Sequence, residues 1–200
     1  MQTSHLDLGC GHNPRNPYNA AILHGIDIRQ PPDSLAATSF TYTRGNFALD
    51  PLPFRDNSFD SVSAFDVLEH IPRQLMTPEA VLRLPFIEIM NEIHRVLKPG
   101  GIFLALTPAY PSEAAFVDPT HVNIITGQTH TYFTGKTPSA RMYGFVGDFS
   151  VRSVRRDAPK NIYNPEQPQW RKWLRRAQHI LTTGHCSHLV WEFTCNKSTQ

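Results

Sequence analysis

Two hundred residues, 40% of them hydrophobic and 18% charged, are enough for one packed domain and exclude a disordered chain. A formal net charge of +2 excludes an overall basic surface for nucleic acid, although residues 1–100 hold 8 Lys/Arg against 11 Asp/Glu and residues 101–200 hold 11 against 6. Three cysteines (Cys10, Cys186, Cys195) cannot all pair, no apolar run approaches the roughly 18 residues of a membrane helix, and the first residues form no leader, so a reduced, cytoplasmic chain without a membrane span is expected.

The chain opens on a strand, Thr3 to Leu8, followed by the glycine turn Gly9-Cys10-Gly11. Two Asn-Pro pairs, at 13–14 and 16–17, then leave room for no more than a short helix in Tyr18 to Leu23. Further strands are predicted over 25–29, 40–44 and 61–65. Thr77-Pro78-Glu79 reads as a capped helix start that Pro85 interrupts and restarts. From there Phe86, Ile89, Met90, Ile93, Val96 and Leu97 share one helical face, and Lys98-Pro99-Gly100-Gly101 stops the helix before the apolar strand 102–106. Two late strands, 148–154 and 188–194, flank a helix over 168–181. Strand and helix alternating in this way predict a mostly parallel sheet with helices on both faces. The aperiodic stretch 107–147 is a candidate substrate loop.

In such a sheet ligands bind beyond the carboxyl ends of the strands. Three features converge there: the turn Asp7-Leu8-Gly9-Cys10-Gly11, the acid Asp27 ending the second strand, and Phe65-Asp66-Val67-Leu68-Glu69-His70 ending the fourth. The turn lets backbone approach a ligand, and a carboxylate at Asp27 suits the two hydroxyls of a ribose. Pro14 occupies the third glycine position of a dinucleotide turn, which argues against a nicotinamide cofactor.

Four ordered motifs carry a resemblance. They are Asp7-Leu8-Gly9-Cys10-Gly11, Leu52-Pro53-Phe54 with Asn57-Ser58-Phe59-Asp60, Val67-Leu68-Glu69-His70, and Arg95-Val96-Leu97-Lys98-Pro99-Gly100-Gly101. Over 7–106 the chain resembles class I S-adenosylmethionine-dependent methyltransferases, in particular small-molecule members of quinone and sugar pathways. The resemblance implies a Rossmann-like, seven-stranded α/β sheet with the last strand antiparallel, a cofactor half over 1–106, a substrate loop over 107–147, and C-terminal strands with a basic helix over 148–200, all in one domain. It implies S-adenosylmethionine as cofactor, contacted by Asp7, Gly9, Cys10, Gly11, Asp27, Ile28, Asn46, Phe47, Phe65 and Asp66. Family members usually carry helices ahead of the first strand that cover the substrate. Here that cover is left to 107–147 or to a second copy of the chain.

For the acceptor, Asp118-Pro119-Thr120-His121 offers His121 as general base with Asp118 orienting it, so methyl transfer to a small hydroxyl-bearing or sugar-like molecule is expected. Asp66-x-x-Glu69-His70 resembles a divalent-ion pattern of some quinone-pathway relatives, but no metal is expected. His185-Cys186-Ser187-His188 with Cys195 lacks zinc-ligand geometry. The late helix pairs an apolar face (Trp170, Trp173, Leu174, Ala177, Ile180, Leu181) with Arg171, Lys172, Arg175 and Arg176. Its expected arrangement is apolar face on the sheet and arginines in water. Two alternatives accompany this reading: a cofactor-binding protein without turnover, and an RNA methyltransferase using the basic helix. Nucleic acid is the less favoured partner.

Overall fold

Apolar side chains alternating with a second, equally buried set dictate a sheet covered on both faces. The computed structural model describes residues 2–30 and 40–198. Its strands are β1 (Ser4–Leu8), β2 (Ile22–Asp27), β3 (Thr41–Arg44), β4 (Phe59–Phe65), β5 (Leu75–Met76), β6 (Leu82–Arg83), β7 (Leu97–Pro108), β8 (Phe149–Asp157) and β9 (His188–Cys195). The helices are α1 (Pro85–Val96), α2 (Pro159–Tyr163) and α3 (Gln169–Thr183). Seven strands form one sheet in the order β3-β2-β1-β4-β7-β9-β8. All neighbours are parallel except that β9 runs antiparallel to both β7 and β8. The expected sheet is thus present, with the strand order reversing between β1 and β4, where ligands bind in folds of this kind.

One face carries Leu6, Leu8, Val62, Ala64, Phe103, Ala105, Trp191 and Phe193 and packs against Phe86, Ile89, Met90 and Ile93 of α1. The α1 stripe lands as its 3.6-residue period predicts, with Pro85 at the first turn where no N–H partner is needed. On the opposite face Phe65, Leu104, Leu106 and Val190 meet Tyr18, Ile162 and Tyr163. The cover there is thin: the Asn-Pro loop and the short α2.

Two expected helices are absent. No helix forms in 18–23: Asn16 Oδ1 accepts from Ala20 N at 2.8 Å and Asn16 Nδ2 donates to the Ala20 carbonyl at 2.9 Å, closing a turn, and β2 begins at Ile22. A side-chain amide that satisfies the backbone locally competes with helix. The helix at Thr77 is replaced by the β5–β6 hairpin, in which Thr77 N donates to the Val81 carbonyl at 2.9 Å and Ala80 adopts φ +59°. Its cap-like Thr77 closes a reverse turn instead.

The Leu52-Pro53-Phe54 motif is held to α1 by Arg95. Its guanidinium donates to the Leu52 and Phe54 carbonyls at 2.9 and 2.8 Å, to Asp56 at 2.7 Å and to both Glu92 oxygens at 2.7 Å. Glu92 Oε2 also accepts from Leu52 N at 2.7 Å. Arg95→Met removes the guanidinium from two carbonyls and two carboxylates, so it should cost about 2 kcal/mol and lower Tm by about 4–8 °C. Thermal denaturation beside the exposed control Arg55→Ala checks this, and equal Tm values for the two variants contradict it.

Candidate active site

At the switch point the glycine turn leaves β1 and lies against the end of β2. Gly9 has φ +63°, and a Cβ there would sit 2.3 Å from Val67 Cγ2. Gly25 on β2 is a second close approach, since a Cβ would meet Cys10 Sγ and Pro14 Cγ at 2.6 Å. The absence of a side chain at Gly25 is what lets the Asn-Pro loop bed onto the sheet.

Three carboxylates gather at this edge. Asp7 is fully buried, accepting from Ser63 Oγ at 2.5 Å and from Arg15 N at 2.8 Å, and burial pushes its pKa up to about 6. Ser63 gives its proton to Asp7, so its oxygen accepts from His5 Nε2 at 2.8 Å, and His5 Nδ1 accepts from Ser61 Oγ at 2.7 Å. Desolvation lowers His5 to about 4, so this polar column under the turn holds a neutral imidazole. Asp27 accepts from Gly11 N at 2.8 Å through Oδ2 and from Arg29 N at 2.9 Å through Oδ1. Asp66, at φ +54°, receives the Tyr163 hydroxyl on Oδ2, while Oδ1 lies 3.3 Å from His188 Nε2 without hydrogen-bond alignment. Tyr163 stacks on Phe65 with centroids 5.9 Å apart, and the Arg15 guanidinium lies 4.8 Å from the Tyr163 ring and 4.9 Å from that of Phe65.

The remaining expected cofactor residues fall as follows. Cys10 is buried with its thiol held up to about 12, chiefly by desolvation, so it is an inert packing group. Ile28 is exposed just past β2. Asn46 is exposed beyond β3, its Oδ1 accepting from Ala48 N at 3.2 Å, and Phe47 packs on the core.

The residues expected on the acceptor side also converge. His121 Nδ1 donates to the Ala115 carbonyl at 3.3 Å, which leaves Nε2 as the ring nitrogen free of that contact. That Nε2 faces Glu69 Oε1 at 4.0 Å and Asp118 Oδ2 at 3.9 Å. The contact that orients the imidazole is therefore a backbone carbonyl. Asp118 is occupied with its own turn, accepting from Thr120 N at 2.8 Å and Thr120 Oγ1 at 2.7 Å. Glu69 is buried, its Oε2 accepts from Thr107 Oγ1 at 3.0 Å, and its Oε1 has no hydrogen-bond partner. Burial pushes its pKa up to about 8. Ligand atoms of Glu69, His70 and His121 lie within 4.8 Å of one another, so this is the set among the described residues that suits a divalent ion.

Sequence reasoning placed Glu69 only at the edge of a metal pattern and did not single out Arg15 or Tyr163. The spacing Asp66-x-x-Glu69 was the available signal for Glu69. Arg15 and Tyr163 are 148 residues apart in sequence and are joined only by the fold.

Similarity to known proteins agrees with this geometry. Sterol 24-C-methyltransferase of Yarrowia lipolytica is 29% identical over 164 residues, which is 78% of this chain and 39% of that protein. The chain spans well under two thirds of the curated relatives it matches, 39% and 51% for the first two. Among solved structures, a methyltransferase in complex with the Trm112 activator of Haloferax volcanii superposes with TM-score 0.60 at 18% identity, over 98% of this chain and 84% of that one. An S-adenosylmethionine-dependent methyltransferase of Mesorhizobium loti gives TM-score 0.54 at 16% identity, over 96% and 90%. A family model described as "Methyltransferase domain" matches residues 6–105, half of the chain, and together with the sheet order this makes the chain a member of the methyltransferase-domain family with the class I S-adenosylmethionine-dependent fold.

Proposed function

We propose that the chain transfers the methyl group of S-adenosylmethionine to a hydroxyl of a small, sugar-like or otherwise hydroxyl-bearing acceptor, with His121 as general base. The observation that carries this reading is the orientation of His121: Nδ1 is engaged by the Ala115 carbonyl at 3.3 Å, and Nε2 faces Glu69 Oε1 at 4.0 Å.

The residues fit the cofactor. Asp7, Asp27 and Asp66 make this edge negative, which suits a ligand bearing a sulfonium and an ammonium, and Asp66 Oδ1 is a buried acceptor without a hydrogen bond. When bound, the cofactor supplies a methyl group on positively charged sulfur, so the acceptor oxygen forms its bond to carbon as the carbon–sulfur bond breaks and a neutral thioether leaves. Asp27 would hold the ribose hydroxyls, its bonds to Gly11 N and Arg29 N keeping it aimed. Gly9 would let the turn approach, and Asp66 would take the amino group. Arg15 beside Phe65 suits the carboxylate. His121 Nε2 accepts the acceptor's hydroxyl proton, and its N–H bond to Ala115 strengthens as positive charge develops on the ring. Glu69, protonated at neutral pH, leaves no second buried base beside it.

His121→Ala should lower kcat by about 10²–10⁴-fold and leave S-adenosylhomocysteine affinity within about twofold. A radiolabelled methyl-donor assay against pooled sugars, sugar nucleotides and quinols, beside isothermal titration, separates the two effects. Full turnover by this variant removes His121 as base, and no binding of either cofactor form by folded wild-type protein overturns the reading.

Gly9→Ala drives a methyl into Val67 and should abolish cofactor binding, with partial recovery in Gly9→Ala/Val67→Ala. Unchanged titration of Gly9→Ala contradicts the close approach.

Between its ordinary value of 4.5 and its folded value of about 8, Glu69 keeps a proton that the unfolded chain has lost, so its contribution destabilises the fold increasingly as pH rises through that window. Glu69→Gln should therefore raise Tm above wild type at pH 8, with the gap closing toward pH 5. A variant less stable than wild type at pH 8 contradicts this.

A further inference from the structure

The helix α3 is inside out. Its apolar residues recur at helical spacing, and a surface helix ordinarily turns such a stripe to the core. Here no residue of α3 is buried, and the stripe points to solvent: Trp170 is 59% exposed, Trp173 65%, Leu174 50%, Ile180 54% and Leu181 85%.

The polar face is the one that is tied down. The Arg176 guanidinium is paired with the buried Asp157 through both oxygens, Nε to Oδ1 at 2.9 Å. Arg175 donates to Asn161 Oδ1 at 2.8 Å and to Gln167 at 3.1 Å, and Lys172 Nζ donates to the Pro165 carbonyl at 2.6 Å. Asn161 in turn donates to Asp157 at 2.8 Å and to the Lys172 carbonyl at 3.2 Å. Rolling the helix to hide its tryptophans would strip a buried carboxylate of its cation, so the exposed stripe is a fixed feature of the surface.

We infer that α3 is an interfacial helix that seats this chain on an anionic lipid surface, with Trp170, Trp173, Leu174 and Leu181 entering the boundary between headgroups and acyl chains. Charge complementarity selects this occupant. α3 contains no acid to repel an anionic surface, and with Lys172, Arg175 and Arg176 held by the protein the charge it offers beside the stripe is that of Arg171. Arg171 stands exposed beside Trp170, 5.2 Å from its ring, at the flank of the stripe where lipid phosphates would meet it. Exposed tryptophan, leucine and isoleucine on one helix face with a cation at its flank suit a helix that lies in the plane of a membrane.

Area argues the same way. A 15-residue helix is about 22 Å long and about 10 Å wide, so the stripe presents on the order of 200 Å², short of the roughly 800 Å² per partner of a stable protein interface. Insertion to a depth of about 5–10 Å needs no more than one helix face. The docking would be felt at the catalytic edge, because α2 lies only a short turn away from α3 and its Tyr163 touches Asp66. The inference does not depend on the choice of methyl acceptor.

The test uses the full 200-residue chain with vesicles of phosphatidylcholine, with and without phosphatidylglycerol. Binding is expected to be at least about tenfold stronger to the anionic vesicles and to weaken as salt is raised. Tryptophan emission should shift to the blue on binding, since Trp170 and Trp173 are exposed and Trp191 is already buried. Trp173→Ser/Leu181→Ser replaces two exposed side chains, so it should keep the wild-type melting temperature and lose vesicle binding about tenfold or more. No partition of wild type into anionic vesicles, or unchanged partition of the variant, overturns the inference. So does concentration-dependent self-association that the double variant abolishes, which assigns the stripe to a second copy, or salt-sensitive binding of RNA with none of vesicles.

Discussion

The Asp7 carboxylate is the joint on which this edge of the molecule depends. It is sealed from water at the carboxyl end of β1, where an unsolvated charge is costly, and it meets that cost with a hydroxyl from β4 and a backbone amide from the Asn-Pro loop. One side chain thereby locks two strands and the loop in register. The Ser63 and His5 bonds behind it extend the same polar column under the sheet. A face that helices would normally cover with apolar side chains is here partly satisfied by hydrogen bonds, which is how the chain does without a helix after its first strand.

From that joint the site follows. With the loop held down, Gly11 N reaches Asp27, Gly9 sits against Val67, and the chain re-enters the core at Phe65 with Asp66 turned up into the edge. Four residues on, Glu69 and the returning 109–147 segment bring His121 to the same edge, its ring held by a carbonyl of that segment. The negative half is built by the strands and the basic imidazole by the loop. This division suits the proposed reading, in which the sheet would carry the cofactor and the irregular chain the acceptor.

Much of this is legible in the residues. The strands containing Leu6–Leu8, Val62–Phe65 and Phe103–Leu106 are apolar runs between turn residues, and the α1 stripe is regular enough to name each buried position. The turn at Asp7–Gly11 and the acid Asp27 lie where their pattern puts them. What failed was local chemistry with two uses. Thr77 can cap a helix or close a hairpin, and Asn16 can start a helix or fold back on Ala20, so the outcome rests on tertiary packing that no window of sequence contains. The orientation of α3 was misread for a related reason: a helical wheel finds an apolar stripe but not the buried Asp157 that claims the opposite side. Arg15, Tyr163 and the depth of Glu69 depend on contacts between distant segments.

The central claim is that a sulfonium held at the carboxylate edge points its methyl group toward His121. A structure with S-adenosylhomocysteine and an acceptor analogue measures this directly. The account predicts the ribose on Asp27 and the sulfur within about 8 Å of His121 Nε2, room for one acceptor oxygen hydrogen-bonded to the imidazole. A sulfur directed away from His121, or a ribose that leaves Asp27 untouched, would contradict it.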